Sequence, residues 1–232
     1  MLPNSGRKGQ LLLLTHRQHT LRHFDLRLFR RGVRMSHMTD ADELKSLLAQ
    51  RRLAGDDRSR IDAAIYARFG RVQAVMFTDL VGFSRVVEAF GIVHFLQLIQ
   101  ESETLFMPLI EQHSGVCLKH EGDSLLVVFD TPQQALAAAQ AMVDATVAAN
   151  PGRAPEDRIE VCIGLGYGTV LRIDDDEVWG AEVNAASKLG EEMAKGGEVL
   201  VTDTFRQAVA DERFVACGEL FGSRTVYSLI SL

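Results

Sequence analysis

Residues 75–84 read VMFTDLVGFS, and the reading of the whole chain starts there. Arg71 to Val75 lead into this stretch, and Val72, Ala74, Val75, Met76 and Phe77 give an apolar run rich in strand-formers. Such a run predicts a strand buried on both faces. Asp79 stands where that strand should stop, and Ser84 is placed to open a helix as its N-cap. Unpaired N–H groups at a helix start attract phosphate, and a carboxylate beside them can hold a hard cation. The plainer alternative is that Asp79 only caps the helix.

Composition narrows the classes. The 232 residues are 47% apolar and 24% charged, ordinary for a globular protein, and long enough for one large domain with an appendage. Three cysteines (117, 162 and 217) lie far apart with no CxxC pair, which suits a reducing, cytoplasmic setting and argues against a disulfide framework or zinc knuckle. No apolar run approaches the roughly 20 residues of a membrane span. Residues 1–34 hold eight Lys or Arg and one acid, a net of +7; the remainder therefore carries −6 − 7 = −13. An acidic body does not suit nucleic-acid binding. It can still take a polyanion such as a nucleoside triphosphate if metal ions supply positive charge.

Outward from the opening stretch, three segments are expected. Residues 1–35 read as a basic, flexible arm, with Met35 and Met38 as alternative first residues. Residues 36–70 read as a helical pair: Thr39-Asp40 caps a helix to Leu53, Ala54–Asp57 breaks it, and a second helix runs from Ser59 to Phe69. This pair is a candidate regulatory or dimer-contact segment. Residues 71–232 form the main domain. Val86, Phe90, Val93, Leu96, Ile99, Leu105, Phe106, Leu109 and Ile110 recur at helical spacing and are expected to face the core, with Gly91 dividing two helices. A hairpin follows, Val116–Lys119 and Ser124–Phe129, which puts Lys119 and Asp123 close together. Thr131-Pro132 starts the next helix. Ile159–Leu171 is a glycine-rich strand, approached closely by a ligand or another backbone. A helix from Glu182 to Lys195 ends at Gly196-Gly197. Shorter strands close the domain. The order predicts an α+β fold, a ferredoxin-like βαββαβ core with helices on one face and extra C-terminal strands.

Asp79, Asp123, Lys119 and the helix of Asn184 and Lys188 carry the chemistry. Asn184 and Lys188 are four apart and point the same way. Two carboxylates could hold two divalent cations and neutralise a triphosphate. An amide and a cation on one helix face could steady charge on a phosphoryl group.

FTDLVGFS (77–84), KHEGDSLLVVF (119–129) and WGAEVNAASKLG (179–190) resemble the catalytic domain of class III nucleotidyl cyclases. The resemblance implies that Asp79 and Asp123 bind two Mg2+ or Mn2+ ions. It implies that the backbone of Leu80, Val81, Gly82, Phe83 and Ser84 holds the triphosphate. Lys119 matches the lysine that reads adenine, and Glu177 falls where an aspartate, one methylene shorter, reads the adenine amino group. Asn184 matches the ribose-orienting asparagine, and Lys188 falls where a transition-state arginine stands. It further implies an adenylate cyclase that makes cyclic AMP and pyrophosphate from ATP, as a homodimer with shared sites. Two positions depart from the pattern. Lys188 lacks arginine's planar fork. Phe221 stands where a phosphate-binding lysine is frequent, with Arg224 as a substitute. The alternatives are a nucleotide-binding signalling domain with weak or no turnover, and a guanylate cyclase.

Overall fold

The computed structural model describes residues 39–210 and 213–230. The basic arm expected over 1–35 lies outside the described residues. Two helices come first, α1 (Asp40–Leu53) and α2 (Arg58–Phe69). Thr39 caps α1 by accepting a hydrogen bond from the Asp42 N–H, as its residue type favours. The pair is pinned by Arg51 to Asp62, and by Arg68 to Asp40 and Glu43. Strand β1 (Gly70–Leu80) follows directly. Then come α3 (Phe83–Phe90), α4 (Ile92–Gln112), β2 (Val116–Glu121), β3 (Ser124–Phe129) and α5 (Pro132–Ala149). The chain continues through β4 (Val161–Ile173), β5 (Glu177–Trp179), α6 (Ala181–Lys188) with a π-helical turn to Met193, and β6 (Val199–Thr202). It closes with α7 (Asp203–Val209), β7 (Phe214–Leu220) and β8 (Arg224–Leu229).

One sheet holds all eight strands, in the order β2-β3-β1-β4-β6-β8-β7, with β5 paired to β4. The first four strands in that order form the antiparallel ferredoxin-like core. β1 is central: Ala74 lies opposite Phe129 of β3 and Tyr167 of β4. Its alternation sorts side chains to two cores. Ala74 and Met76 join the cluster under α3, α4 and α5, whereas Val75 joins Leu126, Val128, Val170 and Ala186 on the other face.

The helices of the ferredoxin-like core, α3, α4 and α5, thus lie on one face as expected, and α6, beyond that core, covers the other. α6 lies on the second face because β4 presents Gly164, Gly166 and Gly168 there. A Cβ at Gly166 would stand 2.7 Å from the Glu182 carbonyl oxygen, and one at Gly164 would collide with that of Ala186. The close approach inferred from those glycines is thus made by a helix backbone. α6 gives way to its π turn at Leu189 and ends at Ala194, before Gly196.

The helical stripe also differs. Gly91 does divide α3 from α4, but α4 buries Phe95, Leu98, Ile99, Phe106 and Ile110. Phe90, Val93 and Leu96 stay exposed, Val93 at 77%. Apolar residues stand on two sides of this helix, so spacing alone did not single out the inward one. α2 buries Ile61, Ile65 and Phe69 against Ile173 of β4, each worth about 1.5–3 kcal/mol relative to exposure. The helical pair is therefore docked on the main domain.

Candidate active site

The site is built where β1 ends. The Val81 N–H bonds to the Glu160 carbonyl at 3.0 Å, and Gly82 then turns the chain with φ of 94°. That left-handed conformation suits glycine. Gly82, not Ser84, is consequently the N-cap, and Ser84 lies inside the first turn of α3. Residues Asp79 to Arg85 line an open cleft of about 410 Å³. The first N–H groups of α3 have no partner within the helix. Arg85 was not singled out in the sequence. Its guanidinium folds back over Gly82, 3.2 Å from where a Cβ would stand, and no spacing rule announces such a fold-back.

Asp123 sits in the two-residue turn between β2 and β3, since Glu121 pairs with Ser124 across it. The hydroxyl of Ser124 donates to Asp79 Oδ1 at 3.2 Å, so this hairpin touches the end of β1. Burial, then the Asp123 charge, push the Asp79 carboxyl up to about 6. Burial also raises the Asp123 carboxyl, and Glu191 adds to both. The charged side chains acting on this pair are thus all acidic. Two hard oxygen donors under mutual repulsion fit a divalent cation, which would relieve both effects. Among the described residues no three His, Cys, Asp or Glu side chains cluster around one point. Further oxygens would come from backbone, substrate or water.

Lys119, Glu177 and Asn184 arrive from three elements, β2, β5 and α6, at one cavity of about 210 Å³. Phe77, Leu126, Val178 and Val183 give it apolar walls, and Ser124 lies at its edge. Lys119 Nζ is 3.9 Å from Glu121, and the Trp179 indole N–H donates to Glu177 at 3.3 Å. β5 was missed in the sequence because three residues carry no readable period. It exists as the return arm of a hairpin on β4, Leu171 facing Trp179 across an acidic turn.

Two predicted residues stand elsewhere. Lys188 lies one turn beyond Asn184, but its ammonium is 3.2 Å from Glu192 and 5.6 Å from the Phe221 ring centre. Arg224 donates to Glu182 at 2.8 Å and to Asp203 at 3.0 Å. Its guanidinium also donates to the Thr204 hydroxyl at 3.2 Å.

The sequence pattern of the adenylate and guanylate cyclase catalytic domain matches residues 66–220. A Streptomyces coelicolor protein named adenylate cyclase is 30% identical over 166 residues, 72% of this chain and 39% of its own length. A Myxococcus xanthus protein, named serine/threonine-protein kinase pkn2, is 32% identical over 154 residues, 66% of this chain and 18% of its own. This chain thus spans well under half the length of these relatives. Among solved structures, an adenylate/guanylate cyclase/hydrolase from Silicibacter pomeroyi superposes with a TM-score of 0.62 at 25% identity, over 70% of this chain and 98% of that one. The matched span runs from the helical pair through both acidic corners and the helix of Asn184, so this chain belongs to the adenylate and guanylate cyclase catalytic domains, the class III nucleotidyl cyclases.

Proposed function

We propose that this chain is an adenylate cyclase, closing ATP to cyclic AMP with release of pyrophosphate at sites shared between two copies. The observation that carries the reading is the convergence of Lys119, Glu177 and Asn184 on one cavity. A donor and an acceptor lining one cavity match adenine, whose ring nitrogen accepts and whose amino group donates. The apolar walls suit the flat face of a base.

Asp79 and Asp123 would hold two Mg2+ or Mn2+ ions. Those ions, when bound, would lower the pKa of the ribose 3′-hydroxyl and neutralise the triphosphate. The Leu80–Ser84 backbone and Arg85 would hold the phosphates at the start of α3. Asn184 would orient the ribose so that its 3′-oxygen faces the α-phosphorus in line with the leaving pyrophosphate. The acids lie at the β1 end and the base cavity between β2, β5 and α6. A second, two-fold-related copy would set the acids of one against the cavity of the other.

Assay of the full chain with Mn2+ or Mg2+ and either ATP or GTP tests this. Cyclic AMP is expected from ATP, and Asp79→Ala should remove it. Absence of product at high enzyme concentration with both metals, or a preference for GTP, overturns the reading. One observation favours the second reading, nucleotide binding with weak turnover: Lys188 is held between Glu192 and Phe221.

A further inference from the structure

The first turn of α6 is anchored by a carboxylate that plays no part in the chemistry above. Glu182 is only 7% exposed. Its Oε1 accepts from Arg224 Nη2 at 2.8 Å. Its Oε2 accepts from the Tyr167 backbone N–H at 3.2 Å, the Thr202 hydroxyl at 3.0 Å and the Thr204 hydroxyl at 3.1 Å. These donors belong to β8, β4, β6 and α7. Arg224 is itself fixed by Asp203 at 3.0 Å. Gly166 and Gly168 make room for the arrangement: a Cβ would stand 3.0 Å from Oε2 at the first and 3.1 Å from Cγ at the second.

The next two residues, Val183 and Asn184, line the base cavity. Positions 182 and 184 are about 200° apart around a helix. Glu182 therefore grips one side of α6 while Asn184 presents the other. Non-directional apolar packing would let the helix roll or slide. Four hydrogen bonds from four elements set both its rotation and its height above the sheet. Buried ionic groups give little net stability compared with apolar ones, and their attested use is to fix geometry.

We propose that Glu182 is a positioning residue: through this clamp it sets where Asn184 meets the nucleotide. The role of Asn184 rests on the cyclase reading. The test is a double-mutant cycle in the full chain, with Glu182→Gln, Asn184→Ala and the pair. Gln keeps the size but removes the charge that holds Arg224. Readouts are kcat and KM for Mn2+–ATP and the Kd for 3′-deoxy-ATP, which lacks the attacking hydroxyl, beside thermal unfolding.

A displacement of about 1 Å at a reacting centre costs on the order of 100-fold. Glu182→Gln should therefore lower kcat by 10- to 100-fold in the Asn184 background, with KM moved less. In the Asn184→Ala background the further loss should be under about threefold, because the group being positioned is gone. Equal losses in both backgrounds, or an unchanged kcat, overturn the proposal while leaving the cyclase reading intact. If Glu182→Gln does not fold, Thr204→Val removes one of the four bonds and enters the same cycle. If turnover is too slow to measure, the Kd for 3′-deoxy-ATP is read through the cycle. A wild-type chain that neither turns over ATP nor binds the analogue overturns the cyclase reading, and the proposal with it.

Discussion

Burial, and then the Asp123 charge, make an ionised Asp79 costly without a bound cation, and that cost can be measured. Asp79 has its pKa raised from 3.8 to about 6, so the folded state binds its proton more tightly than the unfolded state does. The stability it adds is full below about pH 4 and is lost as pH rises through about 6. The whole shift would equal about 3 kcal/mol; screening at a half-exposed group reduces it to about 1 kcal/mol. Asp79→Asn should thus stabilise the metal-free protein by about 1 kcal/mol at pH 8 and by nothing near pH 3, as read by urea unfolding at the two pH values. An equal effect at both would show that the charge is not the cause. Lys188 is the other residue whose chemistry is open to test. Arginine there would keep the charge and add a planar fork able to engage two phosphate oxygens. Lys188→Arg should raise kcat by roughly tenfold, less than the roughly 100- to 1000-fold worth of a whole donor to developing charge, because lysine already supplies the charge. A lower kcat would remove Lys188 from the chemistry.

At the scale of elements, the contact of α6 with β4 decides the second face of the sheet. It depends on three glycines on one side of β4 and on Ala185 and Ala186 of the helix, both fully buried. Gly166→Ala would drive a methyl to 2.7 Å from the Glu182 carbonyl oxygen. We expect about 2–3 kcal/mol of destabilisation from this overpacking. Nucleotide affinity should fall in the same variant, because the helix carrying Asn184 must lift. A variant with native affinity and native melting temperature would contradict this picture of the contact. The glycines were visible in the sequence as a mark of close approach, but not which element approaches. That answer needed the chain to return from Trp179 through α6.

At the scale of the whole molecule, the proposed sharing of sites between two copies carries its own test. In that proposal, Lys119, Glu177 and Asn184 of one copy would face Asp79 and Asp123 of the other. Asp79→Ala should be inactive alone, and Asn184→Ala alone should keep only about a hundredth of wild-type activity. Co-expressed with different tags and purified together, they should regain about a quarter of wild-type activity, since half the dimers are mixed and each has one intact site. No recovery in a verified mixed dimer would place both halves of the site in one chain. The helical pair belongs to the same body, because Ile61, Ile65 and Phe69 close over Ile173 at the far end of β4. Among the described residues no helix is long and apolar enough to cross a membrane.

The sequence by itself determined the order of strands and helices except for β5, because buried strands, caps and glycine stops are local events. Thr131 closing a capping box with Gln134 is one instance. It also marked both aspartates, Asp79 near the end of one apolar run and Asp123 in the turn just before another. Three matters were left to the tertiary structure: the face α6 covers, the inward side of α4, and the partners of Lys188 and Arg224. Each depends on residues distant in the chain. Arg224 reaches Glu182 across 42 residues, and charge spacing cannot say which partner a long side chain will find. The inward side of α4 was likewise set by what packed beneath it, since apolar residues stood on two sides of that helix.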